Sequence, residues 1–247
     1  MVTTAGLAAR CQHEVSVPRA KIKTAMILAA GRGERMRPLT DSTPKPLLPV
    51  AGKPLLAYHL EKLAKAGVQR VVINHAHLGA QIEAYVGDGS RWQLDAQFSP
   101  EPAGGLETAG GIIQALPLLG DDPFWLINGD VYCDVDFATL PSALADHDRA
   151  SLLLVDNPPH HPAGDFHLQG GRITAQQGER LTYAGIGLFS ADWLATERLT
   201  KCKLKPYFDE AIAEQRLAGV KFSGYWQDVG TPARLSALEA HLAAGEK

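Results

Sequence analysis

The sequence predicts an α/β fold, namely a doubly wound, Rossmann-like mixed sheet with a small antiparallel lobe. From Thr24 onward, short apolar runs alternate with amphipathic stretches, a pattern typical of βαβ units around a mostly parallel sheet. From about residue 151 the chain changes to short apolar runs separated by Pro and Gly, which favours antiparallel pairing. The chain has 247 residues, of which 45% are hydrophobic, so a domain of this class can bury a sizeable core.

The parallel part of the sheet is predicted from the first half of the chain. The helix that starts at Pro54 places Leu56, Leu60 and Leu63 on one face and stops at Gly67. The predicted elements of this half are, in order, a strand at 24–28, this helix, a strand at 71–74, a helical stretch at 78–87, a strand at 95–98, a glycine-rich stretch at 103–111, a helix to about 118, and a strand at 124–128.

The second half supplies the lobe and two further helices, which we expect around residues 205–217 and 232–244. We expect one domain over residues 24–247, with its main part at about 24–150 and the lobe at about 151–226. Residues 1–23 contain no apolar h-region, so no secretory signal is indicated, and we expect a tail, native or added, outside the fold.

Composition excludes several classes of protein. The formal net charge is −3, so there is no basic field to bind nucleic acid or an anionic membrane, and no stretch is long and apolar enough for a membrane span. The three cysteines lie far apart in the chain, which argues against a disulfide framework or a structural zinc. We therefore expect a cytoplasmic protein in a reducing compartment.

The loop after the first strand is the sharpest functional signal. It begins at the end of an apolar strand, where open α/β sheets bind ligands. Gly31 and Gly33 allow a tight turn and a close approach of backbone N–H groups to phosphate oxygens. Four cations follow within fourteen residues, namely Arg32, Arg35, Arg37 and Lys45. This combination predicts a triphosphate site.

Two better-known phosphate loops do not fit this segment. A dinucleotide-binding fingerprint requires glycine where Met36 stands, and a Walker A loop ends in Gly-Lys-Ser/Thr. Pro44 and Pro46 instead bracket Lys45 and restrict the backbone on both sides of it. The lysine is therefore expected on a stiff arm that can be directed at a ligand.

Four segments carry a resemblance to a known family. They are LAAGRGERMRPLT (28–40), PKPLLPVAGKPLL (44–56), INGD (127–130) and WQDVGTPARL (226–235). The chain resembles the sugar-1-phosphate nucleotidyltransferases, the family of glucose-1-phosphate thymidylyltransferase and mannose-1-phosphate guanylyltransferase. Within it, VDNPPHHPAGDF (155–166) and GGLETAGGI (104–112) look most like the N-acetylmuramate-1-phosphate uridylyltransferases of cell-wall recycling.

The resemblance implies an enzyme that transfers a nucleotidyl group from a nucleoside triphosphate, UTP in the uridylyltransferases, to a sugar 1-phosphate. Its implied catalytic residues are Arg32, Lys45, Asp130 and Asp228, and the two aspartates would bind Mg²⁺. Lys45 would neutralise charge on the α-phosphate and the departing pyrophosphate. Asp134 and Asp136 are expected to be only polar neighbours or caps.

The resemblance also implies two sets of binding residues. The nucleotide set is Leu28, Ala29, Ala30, Gly31, Gly33, Glu34, Arg35, Asn74, Gln81, Thr108 and Gly110. The sugar set is Asn128, Asn157, Asp165, Tyr183 and Gly185. Two positions depart from the family pattern: Glu34 stands where Thr or Ser is usual, and no Glu-Lys-Pro motif precedes Tyr183. His160, His161 or Arg172 could replace the missing sugar-phosphate lysine.

Three rival functions stay open at this point. Mannose-1-phosphate guanylyltransferase or glucose-1-phosphate thymidylyltransferase activity would keep the family and change the substrates. A choline-phosphate cytidylyltransferase has a similar opening motif, but its pocket needs aromatic residues for a quaternary ammonium. The third is a sugar-nucleotide-binding paralogue without catalysis. The oligomeric state, monomer or dimer, is also open.

Overall fold

A computed structural model describes residues 21–245. Its strands are β1 (Thr24–Leu28), β2 (Pro49–Val50), β3 (Lys53–Pro54), β4 (Arg70–His75), β5 (Asp95–Pro100), β6 (Phe124–Asn128), β7 (Val131–Cys133), β8 (Ala150–Val155), β9 (Phe166–Gln169), β10 (Arg172–Thr174), β11 (Glu179–Phe189), β12 (Leu217–Lys221) and β13 (Trp226–Asp228). Its helices are α1 (Leu55–Ala66), α2 (Gly79–Val86), α3 (Glu107–Leu119), α4 (Lys205–Ala213) and α5 (Pro232–Gly245).

Within residues 21–245, the main sheet has nine strands in the order β5-β4-β1-β6-β11-β8-β12-β10-β9. Strands β5, β4, β1 and β6 are parallel, and β11 joins β6 antiparallel, so the predicted mixed sheet is confirmed. In register, Leu28 lies beside both Asn74 and Asn128, so the carboxyl ends of β1, β4 and β6 meet at one edge. The strands expected as an antiparallel lobe are the far half of the same sheet, and they are not all antiparallel, because β12 pairs with β8 in parallel.

Helices cover both faces of the sheet, as a doubly wound fold requires. On one face, Ile27 of β1 shares a core with Leu60 of α1 and Ile82 of α2. On the other face, Met26 of β1 shares a second core with Ile112 of α3. Successive residues of a strand point to opposite faces, so the unbroken apolar run of β1 is what a strand buried on both faces needs.

Two predicted boundaries were wrong. Helix α3 begins at Glu107 and contains Gly110 and Gly111, although the glycine-rich stretch was expected to precede the helix. Helix α4 ends at Ala213 and does not reach residue 217, because Gln215 takes a left-handed φ of 58° and turns the chain into β12. In α3, the close contacts of Gly110 with Thr200 and of Gly111 with Glu101 accompany a helix that the local glycine propensity disfavours.

Two residues at the end of the expected tail contact the domain. Residues 1–20 of the expected tail lie outside the described residues, whereas Ile22 packs against the core and the Lys23 carbonyl accepts hydrogen bonds from the backbone N–H groups of Gln69 (2.8 Å) and Arg70 (3.0 Å). Within residues 21–245, no helix has both the length and the apolarity that a bilayer crossing requires.

His59 of α1 is buried, and its burial lowers the pKa of the imidazole to about 4. Below pH 6.5 the unfolded chain takes up a proton at this residue while the folded chain does not. Stability is therefore expected to fall between pH 7 and pH 5, by about 2 kcal/mol from His59 alone. Urea unfolding at the two pH values checks this, because His59→Gln should remove that part of the loss.

The control for this prediction is His147→Gln, since the His147 side chain is 67% exposed and meets water in the folded chain as it does in the unfolded one. This variant should lose as much stability as the unmodified chain. An equal loss in the His59→Gln variant would contradict the assignment to His59.

Candidate active site

A cleft of about 950 Å³ opens at the carboxyl edge of the parallel strands. The loops that follow β1, β4, β5 and β6 line it, and Gly230 borders it from the segment after β13. Thirteen of the predicted site residues line this cleft: Leu28, Ala29, Ala30, Gly31, Arg32, Gly33, Glu34, Arg35, Lys45, Asn74, Thr108, Asn128 and Asp130. Among the described lining residues there is no Phe, Tyr or Trp.

The two glycines of the loop after β1 serve different purposes. Gly33 has a left-handed φ of 70°, and a Cβ there would lie 2.9 Å from Thr40 Cγ2, so the turn excludes a side chain. At Gly31 a Cβ would meet no atom of the described chain within 4 Å. The missing side chain at Gly31 therefore leaves room in the cleft for a ligand to approach the backbone.

The cations of this loop are held in different ways. Arg32 donates to the Thr40 carbonyl at 2.7 Å and to Asp41 Oδ1 at 2.9 Å, which directs its guanidinium along the rim. Its hydrogen bond is the main reason that the pKa of Asp41 is lowered from the ordinary value. Arg35 forms no ion pair with any residue in the described range 21–245, so it is available to an anionic ligand. Glu34 is 70% exposed.

Lys45 is the central cation of the cleft. Its side chain is 9% exposed, and its Nζ donates to Asp130 Oδ2 at 2.5 Å, with Asp130 itself 40% exposed. The lysine belongs to a short 3-10 turn after Pro44, whose backbone is extended with φ of −63°. The predicted stiff arm thus carries Lys45 to the end of β6, where its charge is fixed before any ligand binds.

Asp228 lies next to Asp130 through backbone pairing. Strand β13 pairs with β7, and the backbone N–H of Val229 donates to the Asp130 carbonyl at 2.8 Å. Asp228 Oδ2 accepts from Arg234 at 2.6 Å, and His160 Nε2 lies 3.0 Å from Oδ1 without hydrogen-bond alignment. Asp228 Oδ1 is thus a buried carboxylate oxygen with no hydrogen bond to the described chain.

These two carboxylates fit a divalent cation of the kind that binds few protein ligands. Mg²⁺ typically takes one or two carboxylates and completes its shell with water and substrate phosphate. Asp228 Oδ1 has an unused lone pair, and Asp130 spends only Oδ2 on Lys45. No cluster of three or more potential metal ligands occurs among residues 21–245, so a site with many protein ligands is not formed there.

A hydrogen-bonded chain crosses the other end of the cleft. The Ala29 backbone N–H donates to Asn74 Oδ1 at 2.8 Å, and Asn74 Nδ2 donates to Glu101 Oε1 at 2.6 Å. Glu101 Oε2 accepts from the Leu106 backbone N–H at 2.6 Å. Glu101 was not predicted from the sequence, although its place directly after β5, at the edge where the parallel strands end, could have indicated it.

The structure does not bring two predicted nucleotide residues to the cleft. Gln81 donates from Nε2 to the Ser42 carbonyl at 2.9 Å on the exposed side of α2. Gly110 lies inside α3 where a Cβ would overlap the Thr200 carbonyl, so its small size serves packing against the chain and not against a base. Thr108, in the first turn of α3, does line the cleft.

Three of the predicted sugar residues, Asn157, Asp165 and Tyr183, do not line the cleft. Asn157 Oδ1 accepts from Thr182 at 2.8 Å, and Asp165 Oδ2 accepts from the Tyr183 backbone N–H at 2.8 Å. Tyr183 packs between Phe166 and Phe208, and burial raises the pKa of its hydroxyl. Its ring is therefore part of the core and not of the cleft wall.

Gly185 and Asn128 form a close contact that explains the glycine. Gly185 has a left-handed φ of 73°, and a Cβ there would lie 2.6 Å from Asn128 Nδ2. Since β11 lies beside β6, the absence of a side chain at Gly185 gives the Asn128 amide its space at the edge of the cleft. Only Asn128 of the predicted sugar set lines the cleft itself.

The three candidates for the missing lysine lie in different places. Arg172 is bound to the buried Asp148 at 2.7 Å and to the Gln215 carbonyl, in the far part of the sheet. His161 Nε2 lies 3.0 Å from Asp165 Oδ1, so this contact is made within the loop between β8 and β9. Of the three, His160 alone lies against Asp228.

The sequence profile of the nucleotidyl transferase family matches residues 24–180, more than half of the chain. The chain therefore belongs to this family, and the predicted family and fold class are confirmed. The matched range includes the loop after β1, Lys45 and Asp130, whereas Asp228 lies beyond it.

Comparison with individual proteins shows which members of the family the chain is similar to. The chain is 52% identical over 223 residues to N-acetylmuramate alpha-1-phosphate uridylyltransferase of Neisseria meningitidis serogroup B, covering 87% of this chain and 96% of that protein. It is 33% identical over 235 residues to the protein of the same name from Caulobacter vibrioides, covering 90% and 97% respectively. The crystal structure of HddC from Yersinia pseudotuberculosis superposes with a TM-score of 0.74 at 22% identity, covering 90% of this chain and all of that one, which supports the fold.

Proposed function

We propose that the enzyme transfers a uridylyl group from UTP to N-acetylmuramate 1-phosphate and releases pyrophosphate. The observation that carries this proposal is the 52% identity to a protein named for that activity, over 96% of its length. The cleft at the carboxyl edge supports it, because the backbone at Gly31, the unpaired Arg35 and the fixed Lys45 all line it within the described residues 21–245. We place the reaction in the cytoplasm, within the recycling of cell-wall sugars.

In the proposed reaction, an oxygen of the sugar phosphate attacks the α-phosphorus of UTP in line with the departing pyrophosphate. A P–O bond forms to the sugar phosphate, and the bond between the α- and β-phosphates breaks. The attacking oxygen is already ionised at neutral pH, so the chain needs no general base. Its residues act instead by positioning the two substrates and by meeting the negative charge as it moves onto pyrophosphate.

Different residues of the site would contact different parts of the triphosphate. The backbone at Gly31 and Gly33, with Arg32 and Arg35, would bind the β- and γ-phosphates. Lys45, fixed by Asp130, would contact the α-phosphate and the leaving group. Asp130 and Asp228 would hold Mg²⁺, which supplies charge neutralisation and alignment of the phosphates when it is bound.

The chemistry of the cleft bears on the rival functions. A choline-phosphate cytidylyltransferase needs aromatic faces for the quaternary ammonium, and the described lining contains no Phe, Tyr or Trp. The guanylyl and thymidylyl alternatives differ in base and sugar, and therefore call for a direct comparison of substrates.

A panel of nucleoside triphosphates against sugar 1-phosphates, followed by pyrophosphate release, tests the proposal. We expect UTP with N-acetylmuramate 1-phosphate to give the highest kcat/KM. A pair of GTP or dTTP with mannose or glucose 1-phosphate that wins by more than about tenfold, or roughly 1.4 kcal/mol, would overturn the substrate assignment. Release with no pair would favour the non-catalytic paralogue.

A further inference from the structure

The glycine-rich segment 103–106 belongs to the connection between β5 and α3, and its residues Ala103, Gly104 and Gly105, which carry no charged side chain, line the cleft. Its position is set at Leu106, whose backbone N–H is bound by Glu101 Oε2 at 2.6 Å. Through Oε1 and Asn74, the same carboxylate reaches the backbone N–H of Ala29. Glu101 and Asn74 thus connect the segment before α3 to the loop after β1.

The Glu101 carboxylate packs against helix α3 at Gly111, where a larger residue would not fit. A Cβ at Gly111 would overlap Glu101 Oε1 and would lie 2.8 Å from Asn74 Nδ2. Alanine is about 1 kcal/mol better than glycine inside a helix, so a glycine here costs local helix stability. The pair formed by Glu101 and Asn74 occupies the room that this glycine leaves.

A second side chain fixes the same segment from its exposed side. Lys201 Nζ donates to the Gly104 carbonyl at 2.8 Å, across 97 residues of sequence. The adjoining backbone is bound as well, because Cys202 N–H donates to the Leu106 carbonyl at 3.0 Å and the Cys202 carbonyl accepts from Ala109 N–H at 3.0 Å. The segment is therefore held on both faces before a nucleotide arrives.

We propose that Glu101 and Lys201 are positioning residues that hold segment 103–106 where it binds the nucleotide's base. This inference rests on the proposed nucleotidyl transfer and adds the residues that fix its donor selectivity. A segment that needs no ordering on binding loses less conformational entropy, and a fixed backbone edge discriminates between bases better than a loose one. Neither side chain has to contact the reacting phosphates for this effect.

The test is Glu101→Gln, which keeps the shape of the side chain and replaces one acceptor by a donor. Either the Leu106 N–H or the Asn74 amide then faces an N–H group, and the hydrogen bond that remains no longer has a charged acceptor, so the segment is held less firmly in both cases. We expect KM for the best triphosphate of the panel to rise about tenfold or more and its selectivity over other triphosphates to fall. The kcat at saturation and KM for the sugar phosphate should stay near their original values.

Asp95→Asn is the matched control, because Asp95 lies at the opposite end of β5 and accepts hydrogen bonds from Arg70 (3.0 Å) and Gln97 (3.1 Å) on the surface. It should leave both KM values and the selectivity unchanged. Lys201→Met should also raise KM for the triphosphate. If Glu101→Gln does not fold, the KM of Lys201→Met tests the positioning role in its place.

Calorimetric titration of the triphosphate without sugar phosphate gives a second readout that does not depend on turnover. Weaker binding in Glu101→Gln or Lys201→Met, with an unchanged Tm, supports the positioning role. A folded Glu101→Gln with unchanged KM, affinity and selectivity overturns it while the proposed function stands. If the unmodified chain itself binds no triphosphate, the proposed function fails, and this inference fails with it.

Discussion

Replacing Lys45 by alanine is expected to lower kcat by on the order of 10²-fold or more, with a much smaller change in KM for the triphosphate. Lys45 is fixed by Asp130 at 2.5 Å and is almost fully buried, so its charge is in place before the reaction begins. Such a charge contributes most when negative charge moves onto the departing pyrophosphate. Steady-state kinetics with the triphosphate varied at saturating sugar phosphate measures both parameters.

The fold should survive this change, because Asp130 is 40% exposed and water can solvate the carboxylate that loses its partner. Lys53→Ala is a suitable control: Lys53 also forms a lysine–carboxylate pair, with Glu61 at 2.6 Å, but outside the cleft. Near-normal kcat in Lys45→Ala together with a raised KM would mean that Lys45 binds the ground state and the transition state equally and does not contribute to the chemical step.

The parallel half of the fold could be predicted because its signals are local. The apolar run of β1 is short enough for a strand, and the helix from Pro54 to Gly67 repeats its apolar residues at helical spacing. Gly67 takes the left-handed conformation, with φ of 86°, that a helix-ending glycine predicts. The loop after β1 was predictable for the same reason, since its glycines and cations are adjacent in the sequence.

What could not be predicted depends on side-chain direction and on distant partners. Tyr183 was assigned to the sugar pocket, but an irregularity in β11 between Tyr183 and Gly187 resets which side chains face the core. Gly110 and Gly111 resemble loop glycines in the sequence, because their close contacts with Thr200 and Glu101 form only in the folded chain. Glu101 itself carries no local motif, and its importance appears only when β4 and β5 are paired.

Changing either Asp130 or Asp228 to asparagine is expected to lower kcat by at least ~10²-fold, which corresponds to about 2.7 kcal/mol. Asparagine keeps the size of aspartate and its capacity to accept from Lys45 or Arg234, so the pairing of β7 with β13 should persist. It removes the charge that a hard cation requires. Asp95→Asn is the control, because Asp95 lies on the surface outside the cleft, where it accepts from Arg70 at 3.0 Å.

The double variant separates a shared metal site from two independent effects. If Asp130 and Asp228 hold one cation together, losing the first carboxylate already removes the cation at working concentrations, so the second change adds little. Independent residues would instead lower kcat by the product of their separate factors. Turnover measured against Mg²⁺ concentration should show, for each single variant, a shift to higher Mg²⁺ that the double variant barely extends. Wild-type turnover of either single variant at low Mg²⁺, or losses that multiply, would exclude a shared site and direct the search for ligands to Asp134 and Asp136.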